Sequence, residues 1–179
     1  MFLTVHATFG ALVATQTPGI GMAFVGGFLS HFLLDFIPHG DEKVGQWILS
    51  HKKKFILLAG ADITITAFMT IVIASIALSR GDNVMNILFG MFGAVLPDFL
   101  SMAFPELHQL FRRNIIIDSS YKLLRALSVA QLVAVINGIH HRIHGFFLRR
   151  YGFKFSLQNG LLLQTVFLGV VMYLLLGRL

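Results

Sequence analysis

The chain has 179 residues, of which 56% are hydrophobic and only 12% charged, and its mean hydropathy is +0.78. Soluble domains carry about 25% charged residues, so this composition speaks against an ordinary water-soluble domain and for an integral membrane protein. The absence of cysteine excludes disulfides and thiolate metal sites. The net charge of +6 falls in clusters between apolar segments, where membrane orientation and anionic lipid account for it better than nucleic acid.

Residues 1–16 predict a short first helix, ~24 Å long at the α-helical rise, closed by the Pro18-Gly19 turn. No basic segment precedes it and His6 interrupts its apolar run, so it reads as a retained helix rather than a cleaved signal peptide. Residues 20–37 predict a second helix, in which Gly21, Gly26 and Gly27 permit close approach of a neighbour. Pro38-His39-Gly40-Asp41 ends it, and a polar loop with Lys43 and Lys52-Lys53-Lys54 leads to a third helix over 55–79. After the turn Arg80-Gly81-Asp82-Asn83, residues 84–104 predict a fourth, ended near Pro105. Residues 106–125 are mixed and basic. Residues 126–139 are apolar but only ~21 Å long as a helix, short of the ~30 Å bilayer core. Residues 157–176 predict the final span.

The expected architecture is all-α: a single membrane-embedded domain over residues 1–179, a polytopic transmembrane bundle of five to six helices. Early lysines and arginines gather in the loop after the second helix and the segment after the fourth, which places both, and the N-terminus, in the cytoplasm. Were 126–139 to span, Arg142, Arg149, Arg150 and Lys154 would lie outside, against that rule. The preferred arrangement has five spans, an interfacial or re-entrant segment near 126–144, and an external C-terminus. The setting is a prokaryotic inner membrane, with lipids as the obligatory partner.

Ionisable residues inside such helices cost at least ~2.5–3.5 kcal/mol each on insertion scales, so they point to function. His6, His31, Asp35, Asp62 and Asp98 lie within the predicted helices, with His39 just beyond the second. By the helical rise, and with the orientation above, these residues lie ~4–11 Å from the cytoplasmic ends of their helices, which suggests one shared layer. His31 and Asp35 are spaced i, i+4 and share a helix face, as two ligands of one ion would. His140 and His144 repeat that spacing with Arg142 between them, and an arginine fork suits a phosphate oxyanion. The candidate metal ligands are therefore His6, His31, Asp35, His39, Asp62, Asp98, His140 and His144. Asp41 is the candidate general base or orienting carboxylate, and Arg142 the candidate phosphate-binding group.

Each of these has a plainer reading. A lone His6 is more often a hydrogen-bonded interior histidine, and Asp35 before Pro38 serves equally as a structural acceptor. His140, His141 and His144 suit a lipid-headgroup interface, and Lys52 to Lys54 a solvated topology signal. Taken together, three buried carboxylates call for a compensating cation, and a divalent metal held by nitrogen and oxygen supplies it. Zn²⁺ is the first choice and Mn²⁺ the second. A proton or divalent-cation transporter is the main rival, although the far halves of the helices offer little beyond Thr15, Thr17, Ser75 and Ser79. A non-catalytic membrane protein with a polar core is the third reading.

The run from Gly26 through Ser30-His31-Phe32-Leu33-Leu34-Asp35 to Pro38-His39-Gly40-Asp41 resembles the Ser-His-x-x-x-Asp motif of the predicted membrane-bound metal-dependent hydrolases. Gly93-Ala94-Val95-Leu96-Pro97-Asp98 is similar to that family's Leu-Pro-Asp motif, and His6 followed by Gly10 fits its first helix. Here the two motifs come in reversed order, and Phe99-Leu100-Ser101 stands where the family continues with Asp and His. The family is regarded as a distant relative of zinc-dependent phospholipase C. The resemblance implies a zinc-type hydrolase of a phosphoester, a lipid or its headgroup, acting at the cytoplasmic interface.

Overall fold

A computed structural model describes residues 1–37, 39, 51–101, 129–144, 146, 150 and 156–179. The described residues form six helices and no strand: α1 (Leu3–Ala14), α2 (Ile20–Asp35), α3 (Lys52–Arg80), α4 (Val84–Ser101), α5 (Val129–His144) and α6 (Leu157–Leu176). The all-α expectation therefore holds. Two stretches are long and apolar enough to cross a membrane, Ile56–Arg80 within α3 and Gln158–Leu176 within α6. The other apolar helices are shorter; α1, for example, has 12 residues, ~18 Å at the helical rise.

Two helices differ from the sequence reading at their ends. Lys52, Lys53 and Lys54 are the first turn of α3 rather than part of the preceding loop. Helix α5 runs past residue 139 to His144, so His140 belongs to a regular helix and its position is fixed by helical geometry. Asp41, all of residues 106–125 and most of residues 145–155 lie outside the described residues.

The centre of the bundle is a junction of α1, α2 and α4 built on glycine. A methyl group added to Gly10 or Gly27 would strike the carbonyl oxygen of Gly90, and one added to Gly93 would strike that of Phe24. Such an approach puts backbone against backbone, which only a residue without Cβ allows. Ala94 continues the stripe and is fully buried. The spacing matters for the site. Gly10 is one turn from His6, Gly27 one turn from His31, and Gly90, Ala94 and Asp98 lie on successive turns of one face. Around this junction, Ala7 and Ala11 of α1 pack with Ile73, Ala77, Ile87, Met91, Leu175 and Leu179, so α3 and α6 close the far side of α1.

The N-terminus of α1 is satisfied by other helices. Its N-cap, Phe2, offers no capping side chain, yet the first four N–H groups all have acceptors. Phe2 N–H donates to Gln164 Oε1 at 2.7 Å. Leu3 N–H donates to Asp62 Oδ2 at 2.7 Å and Thr4 N–H to Asp62 Oδ1 at 3.2 Å. Val5 N–H returns to the Phe2 carbonyl at 3.1 Å. In an apolar bundle each unpaired N–H would cost several kcal/mol, so this capping from α3 and α6 fixes where α1 begins.

The glycine junction predicts an asymmetry between substitutions. Gly27→Ala must move α2 away from the Gly90 carbonyl and should destabilise by about 1–3 kcal/mol, the usual range for overpacking. Gly169→Ala in α6 meets nothing within 4 Å and should be neutral or stabilise by up to about 1 kcal/mol. Thermal unfolding of the two purified variants beside wild type reads the difference.

Candidate metal centre

Helix α2 brings two of the site residues by local geometry alone. His31 and Asp35 are one turn apart, fully buried, and Nε2 of His31 lies 3.1 Å from Oδ2 of Asp35. Helix α4 supplies Asp98, whose Oδ1 is 3.8 Å from His31 Nε2. Helix α5 supplies His140, with Nε2 2.7 Å from Asp35 Oδ2 and 3.7 Å from Asp98 Oδ1. One ligand atom from each of these four residues lies within 4.8 Å of the other three, a group that could hold a metal ion. Four ligands bound tetrahedrally at ~2.0–2.1 Å stand ~3.4 Å apart. The histidine-to-carboxylate separations from 2.7 to 3.8 Å bracket that value.

Hydrogen bonding fixes the proton on His31. Its Nδ1 lies 2.8 Å from the Ala94 carbonyl oxygen; a carbonyl only accepts, so Nδ1 carries the hydrogen. In the neutral ring Nε2 is then a lone pair pointed at carboxylate oxygens. Histidines that bind metal are oriented by such a bond from the opposite nitrogen. His31 Nε2 and Asp35 Oδ2 are buried and 3.1 Å apart, and His140 Nε2 stands 2.7 Å from the same oxygen. The three atoms converge, and a cation among them would be held by all three.

The opposite oxygens of the two aspartates face His6. Its Nε2 is 3.2 Å from Asp35 Oδ1 and 3.8 Å from Asp98 Oδ2. His6 is 0% exposed, stacks on His31 with ring centroids 4.1 Å apart, and makes no hydrogen bond through either nitrogen. His39 approaches the same side, with Nε2 4.0 Å from Asp35 Oδ1 and Nδ1–H donated to the Ile37 carbonyl at 2.6 Å. The amino group of Met1 lies 2.6 Å from His39 Nε2 and 3.3 Å from Asp35 Oδ1. Four imidazoles thus stand within 4.0 Å of Asp35. Phe32 closes the apolar shell, its ring edge-on to His31 and His140.

Two of the residues singled out from sequence have other positions. Asp62 accepts hydrogen bonds from Leu3 N–H, Thr4 N–H and, at 2.7 Å, the Thr4 hydroxyl. It serves the N-terminus of α1, where a negative charge also suits the helix dipole, and is not in the ligand group. Arg142 is exposed and, two residues from His140, lies about 200° around α5 from it, away from His140's face. His144 ends α5 one turn beyond His140; its side chain, like the whole of Asp41, lies outside the described residues. Gln164 went unnoticed in the sequence, although a polar residue inside the apolar run 157–176 was a signal available there.

Comparison with protein-family models, with curated proteins and with solved structures gives no match.

The two kinds of buried carboxylate should respond differently to removal. Asp62→Ala deletes a cap and should cost about 0.5–2 kcal/mol of stability while the protein still binds metal at saturation. His31→Ala should abolish metal binding. Equilibrium dialysis against Zn²⁺, paired with thermal unfolding, separates them; loss of metal in Asp62→Ala would make that residue a ligand.

Proposed function

We propose that the chain is a polytopic membrane protein whose buried histidine–aspartate cluster binds a divalent metal and hydrolyses a phosphoester at the cytoplasmic interface. One observation carries the metal reading. One ligand atom from each of His31, Asp35, Asp98 and His140 lies within 4.8 Å of the other three, and the Nδ1 of His31 is committed to the Ala94 carbonyl. A divalent ion would add to the positive charge that the Met1 amino group, 3.3 Å from Asp35 Oδ1, already sets against Asp35 and Asp98. A nitrogen and oxygen donor set suits Zn²⁺ first and Mn²⁺ second. The second oxygens of both aspartates, turned toward His6, allow the same carboxylates to serve a further ion.

The membrane setting draws support from the surface. Ile63, Phe68, Ile71 and Leu78 on α3 and Leu162 and Tyr173 on α6 are all more than half exposed, forming apolar faces far larger than soluble proteins usually show. Three exposed hydroxyls on those helices are satisfied internally: Thr64 donates to Gly60, Ser79 to Ile76 and Thr165 to Leu161. Polar side chains in lipid need such bonds.

When bound, the ion would polarise a phosphoryl oxygen and lower the pKa of an associated water toward 7. The protein's own part is to hold the ligands. The Ala94 carbonyl orients His31, the α2 helix sets His31 and Asp35 on one face, and burial excludes bulk water from all but the Asp98 and His140 edge. Hydrolysis of a phosphoester is the activity added by the Ser-His-x-x-x-Asp resemblance. Conduction is the weaker reading, because the packing beyond the cluster is apolar: Ala11, Ile73, Ala77, Ile87 and Met91.

Elemental analysis of the purified protein tests the proposal. Wild type should carry near-stoichiometric zinc or manganese, and Asp35→Ala should carry none. Chelation should lower the melting temperature and re-addition of metal restore it, since a ligand bound only by the folded state stabilises it. Metal-free wild type that stays metal-free after reconstitution would end the hydrolase reading; metal-loaded protein inactive on a panel of phosphoesters would leave the metal site without that chemistry.

A further inference from the structure

Helix α6 buries Gly160, Gln164, Val171 and Leu175, one stripe at helical spacing, while Leu161, Leu162, Val166 and Tyr173 face outward. Apolar or small residues fill that stripe except at Gln164, which is 5% exposed. A buried amide in such surroundings is tolerated only if both its ends are bonded. They are. Its Oε1 accepts Phe2 N–H at 2.7 Å, and its Nε2 donates to the His39 carbonyl at 3.2 Å.

The two segments joined by this amide carry the histidines on one side of Asp35. Phe2 is one turn before His6, and His39 is itself the second. Both rings face Asp35 Oδ1, whereas His31 and His140 face Oδ2. No bond from Gln164 reaches α2, α4 or α5 directly among the described residues. The side chain, beside the Met1 amino group that lies 2.6 Å from His39 Nε2, therefore contributes to the distance between α1 and residue 39, and through it to the closeness of His6 and His39 to the shared carboxylate.

We propose that Gln164 is a positioning residue of the metal centre, holding the His6 and His39 side of the cluster through the backbone at Phe2 and His39. This role rests on the metal reading above. It assigns to α6, which contributes no ligand, control over metal geometry, as outer partners of metal ligands commonly exert.

Binding of Co²⁺, followed by its visible spectrum, tests the role in wild type and in two variants. Gln164→Leu keeps the volume and removes both bonds. Gln164→Glu keeps the acceptor for Phe2 N–H but sets a carboxylate against the His39 carbonyl. Both should bind Co²⁺ about 10–100-fold more weakly, the range for lost outer partners, with a changed visible band. Thr165→Ala, on the exposed face of the same helix, should match wild type in both readouts. A wild-type band and affinity in either folded Gln164 variant would overturn the role while leaving the metal site intact. Failure of wild type itself to bind Co²⁺ would remove the metal reading and this role with it.

Discussion

The structure depends on how closely the backbones of α1, α2 and α4 approach. Gly10 and Gly27 both press on the Gly90 carbonyl, and the candidate ligands sit one or two turns away on the same helix faces. Side-chain carboxylates and imidazoles are short. Close approach of the three backbones brings His6, His31 and Asp98 within that reach, so the glycine contact helps shape the site. Ala94 joins both requirements: its small side chain lets α1 in, and its carbonyl orients His31.

A second constraint is that polar groups must find partners inside an apolar bundle. It explains why α1 starts where it does, capped by Asp62 of α3 and Gln164 of α6. It also separates two carboxylates of similar appearance. Asp62 is saturated by N–H and O–H donors, which leaves it a completed structural acceptor. Asp35 is surrounded mainly by imidazole nitrogens, an arrangement able to hold a cation. Burial is common to both; the kind of partner decides the role.

The cluster is asymmetric about its two aspartates. One pair of oxygens meets His31 and His140, held by α2 and α5; the other meets His6 and His39, held through the N-terminus of α1 and the chain after α2. The first half is fixed within regular helices. The second is joined to α6 by the two bonds of Gln164, which is why the proposed positioning role falls to a helix that carries no candidate ligand. Such a role is what outer-partner effects on metal sites amount to physically.

The sequence by itself determined the helical class, the approximate helix positions and the pairing of His31 with Asp35, because hydropathy and i, i+4 spacing are local properties. Helix ends were legible to within a few residues except where charged stems extend a helix, as at Lys52, or where a histidine-rich segment continues one, as at His140. The destination of Asp62 and the use of Gln164 were decided only by tertiary structure. A carboxylate within an apolar helix looks the same in sequence whether it meets an imidazole or the open N-terminus of another helix. Glycines at 10, 27 and 90 likewise read as separate small residues. Only the packed bundle brings those three backbones to one point, because contacts between helices depend on relative placement that local spacing does not encode.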